Sequence, residues 1–141
     1  AVKNKFILIK TIDHIGTAVE NADLANDVFA KLLGHTHYKV EAVESEGVST
    51  YFYDLLGAKI ELLEATDSNS PIAKFIEKRK EGIHHLAFHV DNIHEELARL
   101  TNLGFEKVGE VKKGADNKLI CFLHPKTTNG VLIELCQEQN Q

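Results

Sequence analysis

The chain repeats itself. Ile12-Asp13-His14-Ile15-Gly16-Thr17-Ala18-Val19 returns roughly 70 residues later as Ile83-His84-His85-Leu86-Ala87-Phe88-His89-Val90, and each copy leads into an amphipathic run that closes at a glycine, Gly34 and then Gly104. Lys59-Ile60-Glu61-Leu62-Leu63 returns at nearly the same offset as Leu132-Ile133-Glu134-Leu135-Cys136. Two copies at this spacing are a duplicated module and not a solenoid, so whatever one half folds into the other must fold into as well.

Each copy reads in the same order. Alternating apolar residues make 12–19 a strand, and the run 20–33 is a helix with Leu24, Val28 and Leu32 along one apolar stripe and Gly34 at its left-handed stop. Period-two segments follow at 37–40, 48–53 and 58–63, separated by turns at Glu46-Gly47 and Asp54 to Gly57. Ser70 and Pro71, as N-cap and first helical residue, open a short linker helix. In the second copy strand 83–90 leads through Asp91-Asn92 to a helix carrying Ile93, Leu97 and Leu100, then to strands near 105–111, 118–123 and 131–136. The stretch Phe6 to Ile9 is a short lead-in, and Gln137 to Gln141 a polar tail. The expected fold is α+β: tandem βαβββ modules, 12–64 and 83–137 joined by 65–82, forming an open eight-stranded, barrel-like mixed sheet with helices outside, in a single domain of 141 residues.

Composition narrows the function. A formal charge of −5 gives no basic footprint for nucleic acid. No apolar run approaches the roughly 20 residues that span a bilayer, and the N-terminal hydrophobic stretch is too short for a secretory signal, so a cytoplasmic protein is expected. Cys121 and Cys136 lack metal-type spacing and sit in apolar strands, which makes them buried free thiols.

The polar positions that recur are His14 with His85 and Glu61 with Glu134. Taken singly, each is an ordinary strand residue on a solvated or hydrogen-bonded face. Taken together they occupy matched places among apolar neighbours, where a carboxylate is costly unless it is paired or ligates a cation. Two imidazoles and two carboxylates form a mixed nitrogen and oxygen set suited to a divalent ion, and such a set accepts cobalt, manganese, zinc or nickel. His35, His37, His84, His89 and His94 have no partner in the repeat.

These residues also carry a resemblance. Ile12-Asp13-His14-Ile15-Gly16, Lys59 to Glu64, Asp67-Ser68-Asn69-Ser70-Pro71-Ile72-Ala73-Lys74-Phe75, Gly82 to Phe88, and Phe122-Leu123-His124-Pro125-Lys126 with Gly130 to Leu135 resemble the methylmalonyl-CoA epimerases of the vicinal-oxygen-chelate group. The resemblance implies a divalent metal held by His14, Glu61, His85 and Glu134. It also implies proton removal and return alpha to a CoA thioester, with Glu134 in acid–base work and Lys126 toward the substrate. The family's second glutamate falls at Thr50, a poor base; the candidates to replace it are Glu46 or Glu44 in the turn nearby, or a metal-bound water. Lys78, Arg79 and Lys80 are mobile cations that could meet phosphates. Two other readings share the fold: a glyoxalase-type lyase acting on a glutathione adduct, and a non-catalytic small-molecule binding module. A non-haem iron dioxygenase uses three ligands, and the fourth here argues against it. Exposed sheet edges make a homodimer the expected assembly.

Overall fold

Two βαβββ units follow one another along the chain, as the duplication requires. The computed structural model describes residues 9–139, so most of the lead-in and the last two residues of the tail lie outside the described residues. The first unit holds residues 14–84 and the second holds 9–13 with 85–139. β1 (Ile9–Val19) is therefore shared, its first residues running with the second unit.

In the first unit β1 is followed by α1 (Ala22–Leu33), β2 (Lys39–Val43), β3 (Val48–Leu55), β4 (Ala58–Ala65) and α2 (Pro71–Arg79). The strands lie in the order β2-β3-β4-β1. β2, β3 and β4 form an antiparallel meander, and β4 runs parallel to β1, the pairing that needs a crossover such as α1. The second unit repeats this with β5 (Gly82–Val90), α3 (Ile93–Asn102), β6 (Lys107–Lys113), β7 (Lys118–Leu123) and β8 (Ile133–Glu138), in the order β5-β8-β7-β6. β5 and β8 are parallel, like β1 and β4.

Local signals set the helix ends. Asn21 and Asn92 accept from the backbone N–H of Leu24 and Glu95, each at 3.0 Å, and so cap α1 and α3. Gly34 closes α1 at φ 84°. Ser70 caps α2 by accepting from Ile72 N–H at 3.1 Å, and its hydroxyl donates to the Glu46 carbonyl at 3.4 Å, which ties the β2–β3 turn to the helix start. Gly47 in that turn has φ 62°, a conformation that favours glycine, and a Cβ there would crowd Ser70 Cβ at 3.1 Å.

One face of each sheet is covered by a helix. In the second unit Ile93, Leu97 and Leu100 of α3 are buried against Val90, Cys121, Leu123 and Leu135, the stripe expected from the sequence. In the first unit the expected stripe is overturned: Leu24, Val28 and Leu32 are 69%, 58% and 69% exposed. The residues that face Val19, Tyr53 and Leu62 are Ala25, Phe29 and Leu33. α1 carries two apolar stripes, and the aromatic ring of Phe29 fills the space above Tyr53, at 6.3 Å between ring centroids, better than the aliphatic stripe would. On the opposite face of the first unit Ile72 of α2 packs with Ala18, Val48 and Leu63, on the same face as His14 and Glu61. Among the described residues no helix is long and apolar enough to cross a membrane.

Candidate active site

In the first unit Glu61 stands on β4 opposite Gly16 of β1, two residues beyond His14. Strand periodicity then puts His14, Gly16 and Glu61 on one face, and His14 Nδ1 lies 3.3 Å from Glu61 Oε2 with both side chains 6% exposed. The second unit makes the same construction from its own strands. Glu134 on β8 stands opposite Ala87 of β5, two residues beyond His85, and His85 Nε2 lies 2.9 Å from Glu134 Oε1, again with both side chains 6% exposed. The repeat seen in the sequence therefore persists as a repeated buried pair, one imidazole beside one carboxylate. Each pair offers nitrogen and oxygen donors in a setting that excludes water, a combination suited to a divalent ion.

Neighbours fix the Glu134 pair. The Phe122 ring, on the residue opposite Glu134 in β7, meets the His85 ring edge-on at 5.6 Å and 89°. Cys136, two residues along β8, donates its thiol hydrogen to Glu134 Oε2 at 3.0 Å. Burial pushes this thiol far above its ordinary range, and the Glu134 charge adds to the shift, so it stays protonated and serves as a donor. The sequence marks Cys136 as a buried free thiol, which it is, but its bond to Glu134 was not foreseen. Period two, which places residues 134 and 136 on one face, is the signal that could have found it.

A second buried polar contact was also missed. Lys118 Nζ donates to Asp13 Oδ1 at 2.6 Å, with the two side chains 5% and 6% exposed. Burial alone would lower the Lys118 pKa, but the hydrogen bond and charge of Asp13 outweigh it and leave the ammonium above its ordinary value. No sequence pattern links residues so far apart.

Glu46 and Lys126 lie in turns, and Thr50 in a strand. Glu46 ends the one-turn 3-10 helix Glu44–Glu46 and is not part of the strand face that bears His14 and Glu61. Thr50 is on that face and is 2% exposed. Lys126 is an exposed cation in the turn Pro125–Thr127, 3.4 Å from Glu106 Oε1.

Known proteins resemble this chain over most of its length. Residues 13–122 match the family model described as the Glyoxalase/Bleomycin resistance protein/Dioxygenase superfamily. The ethylmalonyl-CoA/methylmalonyl-CoA epimerase of Cereibacter sphaeroides is 37% identical over 133 residues, covering 92% of this chain and 99% of that protein. The crystal structure of methylmalonyl-CoA epimerase from Mycobacterium tuberculosis matches with a TM-score of 0.89 and 34% identity, covering 94% of this chain and 91% of that one. A Streptomyces coelicolor methylmalonyl-CoA epimerase solved in complex with 2-nitronate-propionyl-CoA matches with a TM-score of 0.87 and 30% identity, covering 94% of this chain and 99% of that one. Similarity of this extent, over a fold of tandem βαβββ units, decides the family: the chain belongs to the methylmalonyl-CoA epimerases, isomerases of the glyoxalase superfamily.

Proposed function

We propose that the protein interconverts the (R) and (S) epimers of methylmalonyl-CoA by moving the proton at C2, alpha to the thioester, and that His14, Glu61, His85 and Glu134 hold one divalent metal ion. The observation that carries the reading is the recurrence of a buried imidazole–carboxylate pair at the same register in both units. Buried carboxylates and imidazoles of this kind fit a cation, which offsets the cost of removing two acidic groups from water. When bound, the ion supplies positive charge beside the thioester oxygen as the enolate develops.

The chain's own residues do the rest. Glu134 is the acid–base group for one side of C2, and the Cys136 thiol holds one of its oxygens in place. Phe122 packs against the His85 ring and keeps its orientation. A CoA thioester is the substrate class, with Lys126 exposed enough to meet its phosphates. A homodimer belongs to the same reading, and the exposed Leu24, Val28 and Leu32 stripe is the surface that supports it.

Proton NMR of methylmalonyl-CoA in deuterated buffer tests this reading. With metal-loaded protein the C2 proton washes out, washout stops on chelation, and it returns with added metal. A fully loaded protein that leaves the C2 proton in place is not an epimerase of this substrate. The ligand set has its own check: His85→Ala lowers the metal content of purified protein, and a variant that keeps its full complement of metal removes His85 from the set.

A further inference from the structure

We propose that Glu41 is the second acid–base residue of this site, acting on the side of C2 that Glu134 does not serve; this rests on the epimerase reading above. An epimerisation takes a proton from one side of a carbon and returns one to the other, and a carboxylate held by His85 and Cys136 cannot work from both. A second carboxylate stands on the face that carries His14 and Glu61.

Strand pairing determines which side chains share that face. Glu61 is opposite Phe52, and Phe52 is opposite Lys39, so Glu61, Phe52 and Lys39 form one row across β4, β3 and β2. The next row is Leu63, Thr50 and Glu41. Besides Glu61, the described carboxylates that register puts on this face are Asp54, at the exposed end of the β3–β4 hairpin, and Glu41. Glu64 belongs to the other face, where it accepts from the Ala22 N–H at the start of α1.

Glu41 has the setting a proton carrier needs. Lys39 Nζ lies 3.4 Å from Glu41 Oε1 and 4.9 Å above the Phe52 ring, so one cation holds the carboxylate against a fully buried aromatic floor. The Glu41 side chain is 32% exposed, which leaves it open to substrate and to proton exchange with solvent. Thr50, between Glu41 and β4, is too short to cover it. Nor does the fold require an acid here. The corresponding place in the second unit, on β6 opposite Ile120, is occupied by Lys112.

In one direction the Glu41 carboxylate takes the C2 proton, and the electrons of the C–H bond pass into the C1–C2 bond as the thioester oxygen gains charge. Glu134, entering as the carboxylic acid, then gives its proton to the other side of C2 while those electrons return. Turnover leaves Glu41 protonated and Glu134 ionised, and the opposite direction, or exchange with water, restores both.

The test is Glu41→Gln, metal-loaded, given each epimer of methylmalonyl-CoA separately in deuterated buffer, with metal content measured on the same samples. Washout from one epimer falls by about 100-fold or more, washout from the other stays close to the unsubstituted rate, and metal content is unchanged. Equal washout from both epimers at the unsubstituted rate, or equal loss from both, overturns the assignment, since a structural role moves both together. A one-sided loss in Glu46→Gln instead transfers the role to that residue and also overturns it. Absence of washout with the unsubstituted protein overturns the epimerase reading itself, an outcome distinct from either variant's result.

Discussion

Glu134→Gln lowers epimerisation by about 10²- to 10⁴-fold, the range expected when a positioned proton carrier is removed. Glutamine keeps the volume of the side chain, so the packing around Phe122 and Ala87 is retained and the variant unfolds cooperatively like the parent. Its amide cannot take up a proton at neutral pH. The native carboxylate has Oε1 beside His85 and accepts from the Cys136 thiol through Oε2. An amide has one oxygen and one NH2 where the carboxylate has two oxygens, so the group facing either the imidazole or the thiol changes from acceptor to donor. Because Glu134 is proposed both to ligate and to carry the proton, washout slows from both epimers. This contrasts with the one-sided loss expected at Glu41, which is not proposed as a ligand. The measurement is C2 washout and net epimerisation by NMR, with metal content alongside. A variant that exchanges at the parent rate while metal-loaded removes Glu134 from acid–base work.

Much of this arrangement was legible in the sequence because duplication supplies its own control. A single strand histidine says little, but His14 and His85 recur with Glu61 and Glu134 at nearly the same spacing, and the structure turns that recurrence into two buried pairs built at the same register. The helix ends were legible as well, since Asn92, Ser70 and Gly34 act locally. What could not be read depends on which of two similar alternatives packing selects. α1 has aliphatic residues at Leu24, Val28 and Leu32 and a second stripe through Ala25, Phe29 and Leu33; the buried one is decided by Tyr53 and Leu62 on the sheet beneath. β2 was expected at 37–40 and runs from Lys39 to Val43. That shift matters for function, because only the true pairing opposite Thr50 puts Glu41 on the His14 and Glu61 face.

The pair least accessible to sequence reasoning has the largest expected effect on stability. Asp13→Ala leaves the Lys118 ammonium buried at 4% exposure without its 2.6 Å partner, and removing one member of a buried ion pair costs about 3–5 kcal/mol. Asp116 Oδ2, at 3.8 Å, is too far to replace the lost hydrogen bond. The pH dependence identifies the cause. In the parent the Lys118 pKa is raised in the folded state, so the stabilisation is complete below the ordinary lysine value and is lost only as pH rises through the higher folded one. In the variant burial is no longer opposed by Asp13, and the folded pKa drops below the ordinary value. The folded state then binds fewer protons than the unfolded chain at moderately alkaline pH, and stability contributed by this group rises with pH where the parent's is flat. Urea midpoints for both proteins at neutral pH and near pH 10 read the difference: the gap is widest at neutral pH and narrows as Lys118 deprotonates. Replacing both residues, Asp13→Leu with Lys118→Met, costs less than Asp13→Ala alone, because no charge is left stranded. A gap below about 1 kcal/mol, the scale of an exposed pair, or one that does not narrow at high pH, would show that the contact contributes no more than a surface ion pair.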